Sequence, residues 1–159
     1  MADVHSPAIR SFNMSRIGGK DTAPEIALRS ELHKAGVRFR IHRKDLPGTP
    51  DIVLPKARIV VFVHGCFWHR HPGCRFTTSP KTNGTFWTDK FVRTVERDTA
   101  NIRSLELSGW TVIVAWECDI RRSATEVAHH IRRAMSPAMP ASREALGPER
   151  VSPCAISTT

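Results

Sequence analysis

The sequence predicts an α/β protein in which a mixed central sheet lies between helices, an α/β/α sandwich. Apolar, β-prone runs at 58–63 and 110–116 alternate with segments of helical periodicity. The predicted order is helix, three strands, helix, strand and helix, which places helices on both faces of the sheet. With 159 residues, the chain is long enough to bury its own core as one domain.

The first helix is predicted at a capping box. Thr22-Ala-Pro-Glu25 has the pattern in which the first and last side chains satisfy backbone donors of the opening turn. We therefore expect a helix from Thr22 to Gly36, with three apolar residues facing inward: Leu28, Leu32 and Ala35. The capping box by itself accounts for Glu25, so the pattern requires no further role for this carboxylate.

Three strands are expected after this helix. Residues 37–42 are predicted to form the first strand. A turn-rich loop at 46–50 then delivers Asp51 to the second strand, at 52–54. The third strand, at 58–63, follows after a short turn, so the second and third strands are expected to form a hairpin.

The second half of the chain is predicted to contain a long helix at 86–108, a strand at 110–116 and a last helix at 123–135. From residue 136 on, Pro, Ser and Ala dominate, and we expect a disordered tail. The long helix has an apolar and a polar face, formed respectively by Phe91, Val95, Ile102 and Leu105, and by Lys90, Arg93, Arg97 and Asn101.

Composition favours a polyanionic partner and a reducing compartment. Lys and Arg outnumber Asp and Glu by 24 to 15, a formal charge of +9, although such an excess is also compatible with simple solubility. The chain start lacks the apolar run of a signal peptide, and no stretch approaches the roughly 20 apolar residues of a membrane span. We expect a cytoplasmic protein without a membrane partner, in which clustered cysteines indicate metal rather than disulfides.

The segment 64–74, His-Gly-Cys-Phe-Trp-His-Arg-His-Pro-Gly-Cys, predicts a metal site at the end of a strand. Thiolates and an imidazole suit tetrahedral Zn²⁺, and four protein ligands leave no open position for catalysis. We expect a structural zinc ion held by Cys66, His71, Cys74 and Cys118. The alternative is that Cys118 is a buried apolar thiol and the rest a loose loop. Cys154 is expected to be an idle thiol.

A catalytic site is suggested by Asp51, which stands where nuclease folds hold a magnesium carboxylate, although most Pro-Asp pairs are turn residues. The following strand offers neither the acid nor the lysine that a standard nuclease places beside this carboxylate. His64 and His69 could replace these groups, one as a phosphate contact and the other as the base.

Three aromatic residues and a basic helix face each have two interpretations. Phe67, Trp68 and Trp87 could be core residues, the default near a strand end, but two of them stand between polar ligands in a loop. The basic face is usually just solvated, and the excess of positive charge favours phosphate contacts as the alternative for Lys90, Arg93 and Arg97.

These residues together resemble the very short patch repair (Vsr) DNA mismatch endonucleases. The matching segments occur in order over roughly residues 8 to 133: Arg-Ser-x-Asn-Met14, Asp-Thr-Ala-x-Glu25, Leu-Pro-Gly-x-Pro-Asp51, His-Gly-Cys-Phe-Trp-His69, Phe-Trp87, Val-Glu-Arg-Asp98, and Gly-Trp110 through Trp-Glu-Cys118. The resemblance implies a restriction-endonuclease-like fold and an enzyme that nicks one DNA strand beside the thymine of a T:G mispair. Such mispairs arise when 5-methylcytosine deaminates.

The resemblance also implies a role for each matching residue. Asp51 and the Val63 carbonyl would bind catalytic Mg²⁺, with His69 as the base, Glu25 and His64 in support, and the four residues named above on Zn²⁺. Phe67, Trp68 and Trp87 would enter the base stack, and Met14 would contact DNA. The expected DNA contacts of Lys90, Arg93 and Arg97 rest instead on the excess of positive charge. Two positions depart from the family: Val63 replaces a common threonine, and Pro72-Gly73 alters the spacing of the zinc ligands.

The resemblance divides the chain into an N-terminal DNA-contacting segment at 1–20, an endonuclease domain at 21–135 and the tail at 136–159. It implies a monomer that acts on double-stranded DNA at the bacterial nucleoid, with functional links to a cytosine-5 DNA methyltransferase and to mismatch-repair proteins. Two rival functions stay open: a non-catalytic, zinc-stabilised module that binds damaged DNA, and a restriction-type nuclease that cuts undamaged sites.

Overall fold

The computed structural model describes residues 8, 9 and 18–136 and contains a four-stranded mixed sheet. The strands lie side by side in chain order. The first and second strands pair antiparallel, as do the second and third, whereas the third and fourth pair parallel. The strands are β1 (Arg40–Ile41), β2 (Ile52–Leu54), β3 (Ile59–His64) and β4 (Thr111–Trp116), and the helices are α1 (Ala23–Lys34), α2 (Gly84–Leu107) and α3 (Glu117–Met135).

Helices cover both faces of the sheet, as the sequence predicts. Because side chains alternate along a strand, Ile59 and Val61 of β3 face α1 and α3, whereas Val60 and Phe62 belong to the cluster on the other face. The larger cluster joins Leu28 and Leu32 of α1 to α3 and the sheet. The smaller cluster contains Val53, Val60, Phe62 and Leu105 of α2, with Leu46, Ile102, Trp110 and Val112 packed against it.

The strand predicted at 37–42 is shorter in the structure. Only Arg40 and Ile41 pair with β2, at the edge of the sheet, and both side chains are exposed. His42 then adopts a positive φ of 47°, which ends the strand. The prediction overestimated the paired length, although the side chain of Val37, at the start of the predicted strand, is buried in the core.

The last helix begins at Glu117, six residues before the predicted start at Ser123, because the acidic side chains of Glu117 and Asp119 stabilise its first turn. Ser123 itself has non-helical backbone angles, and its hydroxyl accepts a hydrogen bond from the Glu126 backbone N–H. The serine therefore caps the second half of a kinked helix, which is the part that the sequence predicted.

Helix α2 lies on the sheet only with its C-terminal half. Leu105 and Ile102 pack against the sheet, whereas Phe91 packs against aromatic residues of the 64–74 loop. Val95, predicted to face inward, is 40% exposed, because the helix passes from one packing surface to the other at this point.

Within the described residues, no helix combines the length and the apolar character needed to span a membrane. The predictions for Met14, for Cys154, for residues before 18 and for the tail from 137 on lie outside the described residues, apart from residues 8 and 9.

Candidate active site

Three segments meet at one edge of the sheet. β3 and β4 are parallel and end side by side, with His64 opposite Trp116. β2 runs antiparallel to β3, so its beginning, just after Asp51, lies at this same edge. The 64–74 loop and the start of α3 leave from this edge, which places Asp51, both candidate histidines and the cysteines near one another.

Asp51 is held by a backbone donor and lies in a partly desolvated position. The Val63 N–H donates to Oδ2 of Asp51 at 2.7 Å. Burial raises the pKa of Asp51 to about 6; the Val63 hydrogen bond opposes this shift, and the charge of nearby Glu25 adds to it. Burial destabilises the charged form of this carboxylate, and a bound divalent cation would stabilise it. The position therefore fits a magnesium ligand.

His69 and Asp98 form a hydrogen-bonded pair. Nδ1 of His69 lies 2.5 Å from Oδ2 of Asp98, which is carried by α2. An ionised carboxylate only accepts, so Nδ1 holds the proton and Nε2 of His69 keeps a lone pair for a proton. Burial acts to raise the pKa of Asp98, but the hydrogen bond with His69, together with the charges of His69, His64 and Arg97, outweighs burial and leaves that pKa below its usual value. The geometry is that of a general base oriented by an acid.

His64 lies directly against this pair. The His64 and His69 rings are stacked with centroids 3.8 Å apart and an interplanar angle of 7°. Burial, with the adjacent His69, lowers the pKa of His64 to about 3, so this imidazole is neutral near pH 7. Of the two histidines that the sequence offered as base, only His69 has a carboxylate partner in the described residues.

Asp98 is a candidate site residue that could not be recognised as catalytic from the sequence. It is separated from His69 by 29 positions, and on α2 it stands beside Arg97, with which it also forms an ion pair of 3.4 Å. The only available signal was its place in the Val-Glu-Arg-Asp98 segment that resembles the Vsr enzymes.

The four predicted zinc ligands converge. Their ligand atoms, on Cys66, His71, Cys74 and Cys118, all lie within 4.8 Å of one another. Nδ1 of His71 is 3.3 Å from Sγ of Cys118 and 3.6 Å from Sγ of Cys66. Tetrahedral Zn²⁺ with ordinary bond lengths puts such atoms about 3.3–3.8 Å apart. The loop thus accommodates Pro72-Gly73, with Gly73 at a φ of 70°.

The electrostatics of this cluster also fit a cation. Burial raises the pKa of the thiols of Cys66 and Cys118, so thiolates at these positions need a compensating positive charge. His71 is stacked on Trp116, with centroids 4.1 Å apart, and its carbonyl accepts a hydrogen bond from the Thr77 hydroxyl at 2.7 Å. The four residues can therefore hold a metal ion in an ordered loop.

Phe67, Trp68, Trp87 and Phe91 form an aromatic cluster between the loop and α2. Phe67 is in the centre, with ring centroids 5.0 Å from Trp68, 5.8 Å from Trp87 and 5.2 Å from Phe91. Phe91 is buried, whereas the other three are half-buried, so they are neither free side chains nor full core residues. Nζ of Lys90 lies 5.2 Å from the Trp68 centroid.

Glu25 is occupied on both oxygens. Oε1 accepts from the Thr22 backbone N–H at 3.4 Å, as the capping box predicts, and from the Thr22 hydroxyl at 2.8 Å. Oε2 accepts from Arg29 at 2.8 Å and from the Asp21 N–H at 3.0 Å. Asp21, Glu25 and His42 approach closely enough to suggest a metal site, but the guanidinium of Arg29 already supplies the positive charge there.

The candidate catalytic residues line a cleft of about 1000 Å³. Its acidic residues are buried or half-buried, whereas its Lys and Arg side chains are exposed, and the lining includes Lys20, Glu25, Asp51, His64, His69, Lys90, Arg97, Asp98, Glu117 and Arg121. Arg93 is exposed but does not line the cleft. Inner carboxylates with an acid–base pair, surrounded by outer cations, suit a hydrolytic enzyme whose substrate is a polyanion.

Comparisons with known proteins specify the class. The family described as DNA mismatch endonuclease Vsr matches residues 2–75. The type II nicking enzyme V.XorIIP of Xanthomonas oryzae is 49% identical over 120 residues, 76% of this chain and 88% of that protein. The DNA mismatch endonuclease Vsr of Escherichia coli is 46% identical over 121 residues, 76% and 77% of the two chains. The nicking enzyme V.NmeAIP of Neisseria meningitidis is 44% identical over 124 residues, 78% and 88% of the two chains.

The chain belongs to the Vsr family of DNA mismatch endonucleases. It is accordingly an endodeoxyribonuclease, and the resemblance noted in the sequence is confirmed at the level of the family.

Proposed function

We propose that this enzyme nicks one strand of double-stranded DNA next to the thymine of a T:G mispair produced by deamination of 5-methylcytosine. The single observation that carries the proposal is the His69–Asp98 pair, which lines the same cleft as Asp51 in a member of this family. A positioned base next to a metal-binding carboxylate is what hydrolysis of a phosphodiester by water requires.

Asp51, with the Val63 carbonyl, would hold Mg²⁺, which when bound stabilises negative charge on the phosphate and on the leaving oxygen. His69 takes the proton of the attacking water at Nε2, and Asp98 keeps its ring oriented and stabilises the charged imidazole. His64 packs against one face of His69 and restricts its rotation. Glu25 places a second negative charge near Asp51, which supports the site without a free oxygen of its own.

Cys66, His71, Cys74 and Cys118 would hold Zn²⁺, which supplies folding free energy. His69 and two aromatic residues of the cluster lie in the loop that these ligands close, so the four ligands determine how the base is aimed. All four positions of a tetrahedral ion are taken by protein atoms, and a catalytic role is not assigned to this site.

Phe67, Trp68 and Trp87 are proposed to open the base stack beside the mispair. Unstacking costs a few kcal/mol per step and is least costly at a mismatch, so an inserted apolar side chain discriminates by deformation energy. Half-burial in the aromatic cluster supports this role, because each ring is braced by the others while part of its surface stays accessible. Lys90 and Arg97 line the cleft and would contact phosphates, as would Arg93 from its exposed position on the same helix.

The remaining parts of the proposal follow from family membership. The mixed sheet with helices on both faces supports a restriction-endonuclease-like domain at 21–135. We also propose a DNA-contacting segment at 1–20 that includes Met14, a tail at 136–159, a monomeric enzyme, and functional links to a cytosine-5 methyltransferase and mismatch-repair proteins in the bacterial cytoplasm.

The test is strand-specific nicking of labelled duplexes that contain T:G or T:A at one position, with and without Mg²⁺. The wild type should nick only the thymine strand of the T:G duplex. Asp51→Ala and His69→Ala should bind this duplex but nick it at least about a hundredfold more slowly. His130→Ala, which changes an exposed histidine of α3, is the matched control and should nick normally.

Three outcomes would contradict the proposal. Binding without Mg²⁺-dependent nicking would favour the non-catalytic module. Equal cutting of T:G and T:A duplexes would favour a restriction-type nuclease. Strong residual nicking by His69→Ala would assign the base elsewhere, with His64 tested next.

A further inference from the structure

An acid–arginine pair at the start of α3 has no part in the chemistry above. Glu117 and Arg121 both line the cleft, one helical turn apart. Oε1 of Glu117 accepts a hydrogen bond from Nη2 of Arg121 at 2.5 Å. The arginine side chain is 62% exposed and that of Glu117 is 26% exposed, so the guanidinium is oriented by a partner yet open to a ligand.

Glu117 lies near Trp68, one of the three aromatic residues that are proposed to enter the DNA. Trp116 is opposite His64 in the sheet, so Glu117 follows β4 beside Gly65. A Cβ placed on Gly65 would be 3.5 Å from Oε2 of Glu117 and 3.5 Å from Cδ1 of Trp68. The Glu117 carboxylate and the Trp68 indole therefore lie on the same side of Gly65, each within ordinary van der Waals reach of that position.

The ring of Phe76 also lies near Arg121. The Arg121 guanidinium is 5.9 Å from the ring centroid of Phe76, which follows the 64–74 loop. A guanidinium held by a carboxylate and adjacent to an aromatic ring loses less conformational entropy on binding than a free side chain. Arg122, the next residue, pairs with Asp119 at 3.1 Å and does not line the cleft.

We infer that Arg121 determines flanking-sequence specificity by reading a guanine in a base pair next to the mispair, with Glu117 as its positioning residue. The planar guanidinium matches guanine O6 and N7 with two hydrogen bonds, the commonest base-specific contact of arginine. Arg121 lines the same cleft as Trp68, and its partner Glu117 lies near that indole, so the base pairs within reach of Arg121 are those next to the opened step. The inference rests on the proposed function, because it takes the position of the DNA from the insertion of Trp68.

The experiment measures nicking rates on T:G duplexes in which each flanking base pair is varied in turn, alongside matched T:A duplexes. The wild type should prefer guanine at one flanking position by about tenfold or more, the discrimination of a bidentate pair. Arg121→Ala should lose that preference at that position alone and keep the preference for T:G over T:A. Arg121→Lys retains charge and the partner of Glu117 but should not restore the preference, since an ammonium lacks the planar fork.

Glu117→Ala should weaken the same flanking preference while Arg121 is still present, which separates positioning from a general effect on folding. Arg122→Ala is the matched control, an exposed arginine of the same helix with its own acidic partner, and its flanking profile should equal that of the wild type. Zinc content and melting temperature confirm that each variant is folded. If Arg121→Ala does not fold, Arg121→Lys provides the test of the flanking preference.

A uniform loss of rate over all flanks in Arg121→Ala would indicate a phosphate contact and overturn the inference, as would an unchanged flanking profile in both Arg121 variants. A wild type that nicks T:G duplexes with no flanking preference would overturn the inference but leave the proposed function intact. A wild type that does not distinguish T:G from T:A would refute the proposed function itself.

Discussion

Replacing Asp98 by asparagine tests whether the carboxylate partner of His69 contributes to catalysis. Asparagine keeps the size of the side chain and can accept from Nδ1, but it removes the negative charge next to the imidazole. The two side chains are only 21% and 15% exposed, so water screens their interaction weakly. Unit charges about 4 Å apart at an effective dielectric constant of about 20 interact by about 4 kcal/mol.

The imidazole is charged only after it has accepted the proton of the water, so this interaction stabilises the transition state more than the ground state. About 4 kcal/mol corresponds to roughly a thousandfold in rate, and since asparagine retains part of the hydrogen bond, we expect a decrease of about 10²- to 10³-fold. Single-turnover nicking of a T:G duplex at saturating enzyme measures this decrease directly, and the affinity for DNA should be nearly unchanged.

Asp89→Asn is the matched control, because Asp89 is an exposed acid of the same helix. Arg97→Ala removes the ion pair that Asp98 makes with Arg97. Because Arg97 is also a proposed phosphate contact, its rate is compared at saturating enzyme, where weaker DNA binding has no effect. A rate for Asp98→Asn within about threefold of the wild type, in a variant of normal zinc content and melting temperature, would show that Asp98 only packs against His69 and would refute the reasoning.

Three further predictions concern the metal, the mismatch and the fold. Cys118→Ser should lose zinc and melt at least ~5 °C lower, because a structural site contributes folding free energy; unchanged zinc by elemental analysis would argue against the four-ligand site. Trp68→Ala should narrow the rate difference between T:G and matched duplexes. The fluorescence of 2-aminopurine beside the mispair should increase when the wild type binds and increase less with the variant. A probe whose fluorescence does not change with the wild type would rule out insertion. Gly48→Ala should cost about 1–3 kcal/mol in urea unfolding, since Gly48 has a φ of 73° and a Cβ there would be 2.9 Å from Nδ2 of Asn101; equal stability would mean that the loop shifts easily.

Local patterns were enough to predict the fold class and much of the candidate site. The capping box predicted where α1 begins, and continuous apolar runs bounded by turns predicted the buried strands β2 and β3, because these signals depend on neighbours in sequence. The spacing of three ligands within residues 66–74 likewise predicted the metal-capable cluster, which the structure brings together with Cys118.

Boundaries and exposures could not be predicted in this way. The sequence indicated a helix starting at Ser123, but that serine caps only the second half of α3. Val95 continues the apolar stripe of α2 yet is exposed. The start of the helix packs on the aromatic cluster and its end packs on the sheet, and Val95 lies between these two contacts. Which side of a helix is covered depends on elements that are distant in the chain.

What the sequence by itself determined is the set of chemical groups: the Asp51 carboxylate, the histidines of one loop and the soft ligands around them. Tertiary structure alone decided how they are paired. It brought Asp98 from α2 to His69, set Glu117 beside Gly65 and placed Arg121 in the cleft. The physical reason is that spacing along a chain specifies contacts only within a helix turn or a strand pair, whereas contacts between elements depend on how their apolar faces pack.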